Sequence, residues 1–136
     1  MKEMTIAAVV ENIDAVTDFV GEQLDAFDCP MKAQMQISIA IDEVFSNIAH
    51  YAYGDQTGEA IIRVEVTEEP RAAVITFIDN GVPYNPLEKD DPDTTLSAED
   101  REIGGLGIFM VKKSMDEVVY EYKDGQNILK IKKNLN

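Results

Sequence analysis

The stretch DEVFSNIAHYAY, residues 42–53, falls in the last turns of a helix that the apolar periodicity predicts over about 31–50. The buried face of this helix is predicted by four apolar residues at helical spacing: Ile37, Ile41, Val44 and Ile48. Glu43 and Asn47, four residues apart, project side by side from a different face. A carboxylate beside a carboxamide suits a hard cation and a hydroxyl that must lose its proton. Taken alone, such a pair is more often part of an ordinary solvated face.

The rest of the chain has the predicted order β-α-α-β-β-loop-α-β-β. The predicted strands cover residues 4–10, 60–68, 72–79, 117–122 and 127–132. Two further helices are predicted at 13–27, with Asn12 as its N-cap, and at 106–115. This order predicts an α/β fold, a two-layer sandwich with helices packed on one face of a mainly antiparallel mixed sheet, in a single domain over 1–136. The long segment 80–104 has little periodicity, and a loop of that length in a compact domain is usually functional.

Composition and charge narrow the classes of function. The formal net charge is -14 with a pI near 4.3, which disfavours binding to nucleic acids and to anionic membranes. A basic protein partner, or a small anionic ligand held by backbone amides and a metal ion, fits better. The single cysteine, Cys29, excludes an internal disulfide and is interpreted as a small buried apolar residue. No leader and no apolar run of about 18 residues is recognisable, so the expected location is the cytoplasm.

Two glycine-containing motifs add candidate binding groups. Ile78 and Asp79 end an apolar strand before Asn80-Gly81, an arrangement that can place a carboxylate in a half-buried pocket to accept a hydrogen bond from a base. Ordinary turn chemistry explains the same residues. The GGLG sequence at 104–107 opens a helix, where free N–H groups and the helix dipole favour phosphate. It matches neither the P-loop pattern nor the dinucleotide-binding glycine pattern.

Together, the three motifs occur in the order typical of the GHKL ATPase superfamily and its Bergerat ATP-binding fold. Within it, the chain resembles the anti-sigma regulatory factor / serine-threonine protein kinase family. The resemblance is carried by DEVFSNIAHYAY, FIDNGVPYNP and GGLGIFMVKKSMDEVVYEY, residues 42–53, 77–86 and 104–122. Two positions depart from the pattern. Pro83 replaces the second glycine of Asp-x-Gly-x-Gly, and Ile103 replaces an arginine found in some members, with Arg101 nearby as its substitute.

The resemblance implies a role for each matching position. Glu43 would be the general base, and Asn47 would hold the Mg²⁺ that bridges the ATP phosphates. Asp79 would accept the adenine amino group, and Gly81 would make room beside the base. Residues 82–104 would form a lid over ATP. The remaining implied nucleotide contacts are His50, Arg101, Gly104, Gly105, Leu106 and Gly107.

The implied partners are a sigma factor and a STAS-type anti-anti-sigma protein, whose serine or threonine would receive the γ-phosphate. A homodimer is compatible with this resemblance, and no direct nucleic-acid or membrane contact is expected. Two alternatives stay open: an ATP-gated protein-binding module without phosphoryl transfer, and a stand-alone catalytic domain of the histidine-kinase type. Transfer of labelled γ-phosphate to a partner would distinguish a kinase from an ATP-gated binding module. The second alternative is disfavoured because no dimerisation helix pair is recognisable upstream and the single histidine lies within the Glu-x-x-x-Asn helix.

Overall fold

Helices cover one face of a five-stranded sheet in the computed structural model, which describes residues 1–88 and 105–135. The strands are β1 (Lys2–Ala7), β2 (Glu59–Glu68), β3 (Arg71–Asp79), β4 (Glu117–Lys123) and β5 (Gln126–Asn134). The helices are α1 (Ile13–Ala26), α2 (Met31–Tyr51) and α3 (Gly105–Ser114). Short 3₁₀ turns occur at Val10–Asn12 and Pro86–Glu88. The predicted α/β class and the order of helices and strands are confirmed.

The strand order across the sheet is β1-β2-β3-β5-β4, and every neighbouring pair is antiparallel. The expected mixed sheet is corrected accordingly, since no parallel pair occurs among the strands that the structure describes. Helices α1 and α2 lie between β1 and β2 in the chain, and β2 then pairs with β1 in the opposite direction. Helix α3 lies between β3 and β4 in the chain. The chain then reverses after β4, and β5 lies between β3 and β4 in the sheet.

The local sequence correctly predicts the turn between β4 and β5 but not the N-cap of α1. Asp124 and Gly125 have φ of 54° and 79° and close the β4–β5 hairpin, as the Asp-Gly pair predicts. The predicted N-cap role of Asn12 is wrong, because its side chain makes no cap hydrogen bond. A 3₁₀ turn precedes α1, so Asn12 lacks the extended backbone of a capping residue, and its Nδ2 donates to the carbonyl of Ala7 at 2.9 Å.

The core lies between α2 and the inner face of the sheet. The predicted apolar stripe of α2 is buried, and it joins the inward side chains of the central strands in one cluster. Each fully buried aliphatic side chain contributes about 1.5–3 kcal/mol, which anchors α2 on the sheet and fixes the direction of its polar face. Cys29 belongs to this cluster, and burial raises the pKa of its thiol against the opposing effect of Arg71. No helix within the described ranges has both the length and the apolar character needed to cross a lipid bilayer.

Candidate functional site

A cleft opens between the C-terminal half of α2 and the ends of β3 and β5. Its empty volume is about 420 Å³, part of which is open to solvent, within the range of small-molecule sites. Its lining is largely apolar and aromatic, and Asn47, Asp79 and Asn127 supply its amide and carboxylate groups. The aromatic side chains in the lining are Tyr51, Phe77, Tyr84 and Tyr120. A mostly apolar cleft with a few fixed polar groups suits a flat ligand with hydrogen-bonding edges.

Asp79 is the last residue of β3, and only 4% of its surface is exposed. Its Oδ1 accepts hydrogen bonds from the Gly81 N–H at 2.9 Å and from Asn127 Nδ2 at 3.0 Å. Within the part of the chain that the structure describes, no donor reaches Oδ2. This carboxylate therefore presents an acceptor oxygen to a cleft whose other walls are mainly apolar, where an N–H donor of a ligand would be strongly favoured.

The turn after β3 lies directly against the end of α2. The Val82 N–H donates to the carbonyl of Ala52 at 2.8 Å, and a Cβ on Gly81 would overlap that carbonyl. Tyr53 fixes the turn from the other side, since its hydroxyl accepts from the Asn80 N–H at 3.0 Å. Burial raises the pKa of Tyr53, so the hydroxyl keeps its proton. Gly81 is thus required here by the close approach of two backbone segments.

Helix α3 brings the glycine-rich motif onto the polar face of α2. Glu43 and Asn47 are both half-buried, and Asn47 lines the cleft. The Cα of Gly107 packs so closely on Glu43 that a Cβ there would overlap its carboxylate. Gly107 lies in the first turn of α3, so the N-terminal end of the helix dipole favours this negative charge. The structure therefore joins the Glu43 and Gly107 motifs in space, next to the cleft that contains Asp79.

Of the predicted residues, His50 does not take part in this arrangement, and others lie outside what the structure describes. His50 is exposed and does not line the cleft, and its ring lies 6.2 Å from that of Tyr51. Arg101 and Gly104 lie outside the described residues, as does most of the predicted lid at 82–104. The backbone of α3 begins at Gly105, one residue before the predicted start at 106. The roles assigned to these residues stay predictions, as do those of Glu43, Asn47, Asp79, Gly81 and Gly107.

Sequence reasoning missed Asn127, which the structure places beside Asp79. The two residues are directly opposed across the β3–β5 ladder, so their side chains share the inner face of the sheet. A signal was available, because Asn127 occupies the same alternating face of its strand as the buried residues Leu129 and Ile131. A polar side chain on a buried face requires hydrogen-bond partners.

Metal binding at this site would depend on the ligand as much as on the protein. In residues 1–88 and 105–135, no group of three His, Cys, Asp or Glu side chains is arranged to hold a metal ion. The carboxamide oxygen of Asn47 is a hard donor of the kind that Mg²⁺ accepts. Since Mg²⁺ usually keeps several waters and binds phosphate oxygens, one such donor would fit this ion if a bound ligand supplied the phosphate oxygens.

Comparison with known proteins gives a consistent set of relatives. A family model described as histidine kinase-like ATPase domain matches residues 6–133. Serine/threonine-protein kinase BtrW of Bordetella bronchiseptica is 26% identical over 98 residues, 72% of this chain and 68% of that protein. Serine-protein kinase RsbW of Listeria monocytogenes is 28% identical over 101 residues, 71% and 63% of the two chains. Anti-sigma F factor of Pasteuria penetrans is 27% identical over 112 residues, 82% and 72%. The chain therefore spans about two thirds of the length of these relatives.

Solved structures agree at the level of the fold. The blue-light activated histidine kinase of Erythrobacter litoralis superposes with a TM-score of 0.60 and 18% identity, over 79% of this chain and 32% of that one. Histidine kinase AdeS of Acinetobacter baumannii superposes with a TM-score of 0.55 and 13% identity, over all of this chain and 70% of that one. Their likeness concerns the arrangement of helices and strands alone.

Proposed function

Because the chain belongs to the histidine kinase-like ATPase domain family, we propose that it binds Mg-ATP in this cleft and acts as an anti-sigma factor and serine-protein kinase. It sequesters a sigma factor and phosphorylates a hydroxyl of a STAS-type anti-anti-sigma partner. Relatives named serine-protein kinase and anti-sigma F factor support this reading. The observation that carries it is the packing of Gly107 on Glu43, which joins a candidate phosphate-binding helix end to a candidate base.

The base of ATP occupies the apolar cleft in this proposal. Asp79 accepts a hydrogen bond from the exocyclic amino group of adenine, and the aromatic lining contacts the ring faces. The burial and the hydrogen bonds of the Asp79 carboxylate support this placement. The carboxylate is nearly fully buried, and the donors that the described residues supply both bind Oδ1.

The phosphates extend from the cleft toward the start of α3. Backbone N–H groups in the first turn of a helix have no partner within the helix, and they bind anions together with the helix dipole. Asn47 lies between the cleft and Glu43 on α2 and would hold Mg²⁺ through its carboxamide oxygen. The contribution of the bound ion is neutralisation of the phosphate charge.

Glu43 accepts the proton of the attacking hydroxyl. The hydroxyl oxygen of the partner forms a bond to the γ-phosphorus while the bond to the β,γ-bridging oxygen breaks and ADP leaves. The proton passes to a carboxylate that α3 holds in place. General-base catalysis of this kind contributes roughly 10²–10⁴ in rate.

Glu43→Gln tests the proposed function, because glutamine keeps the shape of the side chain but accepts no proton. We expect it to bind Mg-ATP and the sigma-type partner at least as well as the wild type, because one negative charge near the phosphates is removed. Phosphorylation of the STAS-type partner falls by roughly 10²-fold or more. Calorimetry measures binding, and transfer of labelled γ-phosphate measures the reaction.

Asp42→Asn is the matched control, since it removes the neighbouring exposed carboxylate of the same helix. It should retain both binding and transfer. Transfer at the wild-type rate by Glu43→Gln contradicts the base role, and loss of ATP binding assigns Glu43 to binding instead. A wild-type protein that captures its partner and binds ATP but transfers nothing is an ATP-gated binding module.

A further inference from the structure

Asn127 is the centre of the hydrogen-bond network beneath the cleft, and 6% of its surface is exposed. Its Nδ2 donates to Asp79 Oδ1 at 3.0 Å and to the carbonyl of Val82 at 2.8 Å. Its Oδ1 accepts from the Tyr84 N–H at 3.1 Å and from the Tyr120 hydroxyl at 2.5 Å. One side chain thus connects β5 with the end of β3, the segment after it and β4.

The orientation of this amide follows from its partners. A backbone N–H can only donate and a backbone carbonyl can only accept, so Tyr84 and Val82 fix which end of the amide carries oxygen. Asn127 therefore presents an N–H to Asp79. That N–H and the N–H of Gly81 both bind Oδ1, which holds the carboxylate in one rotamer.

We infer that Asn127 is the positioning residue that gives this site its preference for a base bearing an amino group. The inference rests on the proposed function, since it assumes that the cleft binds a nucleotide. With Oδ1 occupied by two donors, Asp79 offers its other oxygen to the ligand as an acceptor only. The amino group of adenine can donate a hydrogen bond to this oxygen. The carbonyl oxygen of hypoxanthine or guanine would face it instead, and two acceptors repel each other.

Removing the amide of Asn127 would leave Gly81 as the one described residue whose N–H donates to Asp79 Oδ1. The carboxylate could then turn away from the ligand, which would weaken both its attraction for an amino group and its repulsion of a carbonyl. The loss should therefore concern discrimination between bases more than binding of the phosphates. A residue with a merely structural role would affect adenine and hypoxanthine nucleotides alike.

Asn127→Leu tests this inference, because leucine is close to asparagine in size and makes no hydrogen bond. Calorimetry at fixed Mg²⁺ and salt gives the Kd values for ATP and for ITP, which carries hypoxanthine in place of adenine. We expect the affinity for ATP to fall by roughly 10-fold and that for ITP by less than about 3-fold. Asn134→Leu, an exposed asparagine of the same strand, should leave both values unchanged.

The outcomes separate this inference from the proposed function. A wild-type protein that does not bind ATP overturns both. A wild type that prefers ATP, with an Asn127→Leu variant that keeps the same preference or weakens both nucleotides equally, overturns the inference alone. If Asn127→Leu does not fold, Asn127→Ala replaces it, because alanine removes the same amide without placing a bulky apolar group beside Asp79. A lower preference for ATP in that variant supports the inference, and an unchanged preference overturns it.

Discussion

Asp79 is a buried acid that holds the turn after β3 through Oδ1, and no donor of the described residues reaches its Oδ2. We predict that Asp79→Ala weakens ATP binding by roughly 10–100-fold, since a hydrogen bond to a charged group contributes about 1.5–3 kcal/mol. Inorganic tripolyphosphate, which lacks the base, should bind the variant and the wild type equally, and it serves as the control probe. Unchanged ATP affinity in a folded Asp79→Ala protein, measured by calorimetry, would remove the adenine assignment.

Single residues were predictable where short motifs encode them. Glu43 and Asn47 are four residues apart on one helix, so helical geometry alone places them together. Asp79 ends an apolar strand, and its burial follows from that position. Asn127 was not predictable from a motif, because its importance comes from a partner 48 residues earlier across the sheet. That pairing depends on the insertion of β5 beside β3, which no local pattern encodes.

Gly107 and Gly81 both lie where two elements touch, but a Cβ would meet a side chain at the first and backbone at the second. Alanine substitutions at the two positions should therefore have different effects. A Cβ at Gly107 meets the end of the flexible Glu43 side chain, which can move aside. A Cβ at Gly81 meets the backbone of Ala52, which cannot. Gly107→Ala should therefore fold with an unchanged or higher thermal midpoint, because alanine is favoured in helices by about 1 kcal/mol. It should nevertheless lose phosphoryl transfer, since the Glu43 carboxylate is displaced.

Gly81→Ala is the counterpart and should lower the thermal midpoint. The strain falls on the contact between the turn after β3 and the end of α2, where the Val82–Ala52 hydrogen bond also lies. Thermal unfolding of the two variants by circular dichroism, with γ-phosphate transfer measured on the same preparations, distinguishes them. Full transfer by Gly107→Ala would show that Glu43 needs no fixed position.

The helices and strands themselves were largely encoded by periodicity. The apolar stripe of α2 and the Asp-Gly turn of the last hairpin specify their structures locally, and both are confirmed. The ends of elements were less predictable, because the 3₁₀ turn before α1 changes the backbone of Asn12 and redirects its side chain. The direction of strand pairing required the whole topology, in which β5 separates β3 from β4.

The charge of the whole molecule is unevenly distributed along the chain. Residues 1–104 carry 22 acidic against six basic side chains, whereas residues 105–136 carry four acidic and six basic ones. Repulsion within the acidic part opposes folding, and salt screens it. We predict that raising NaCl from about 10 to 150 mM, where the screening length falls to about 8 Å, increases the thermal midpoint. Each 1 kcal/mol gained corresponds to roughly 3–6 °C in a domain of this size.

Choline chloride at the same concentration is the control for this measurement. An equal increase with both salts identifies screening, because choline is too large for a compact cation site. An increase with NaCl alone would instead indicate specific Na⁺ binding, and no increase with either salt would mean that the acidic charges are spaced too widely to destabilise the fold.

Asp79 and Asn127 form the last rung of the ladder that joins β3 to β5. The end of a ladder is where a sheet opens first in local unfolding, because fewer neighbouring hydrogen bonds must break there. A nucleotide bound across this rung would have to leave before the strands could separate from that end. A bound nucleotide would therefore slow amide hydrogen exchange along the β3–β5 ladder. Binding in the cleft would in this way stabilise the pairing of these two strands.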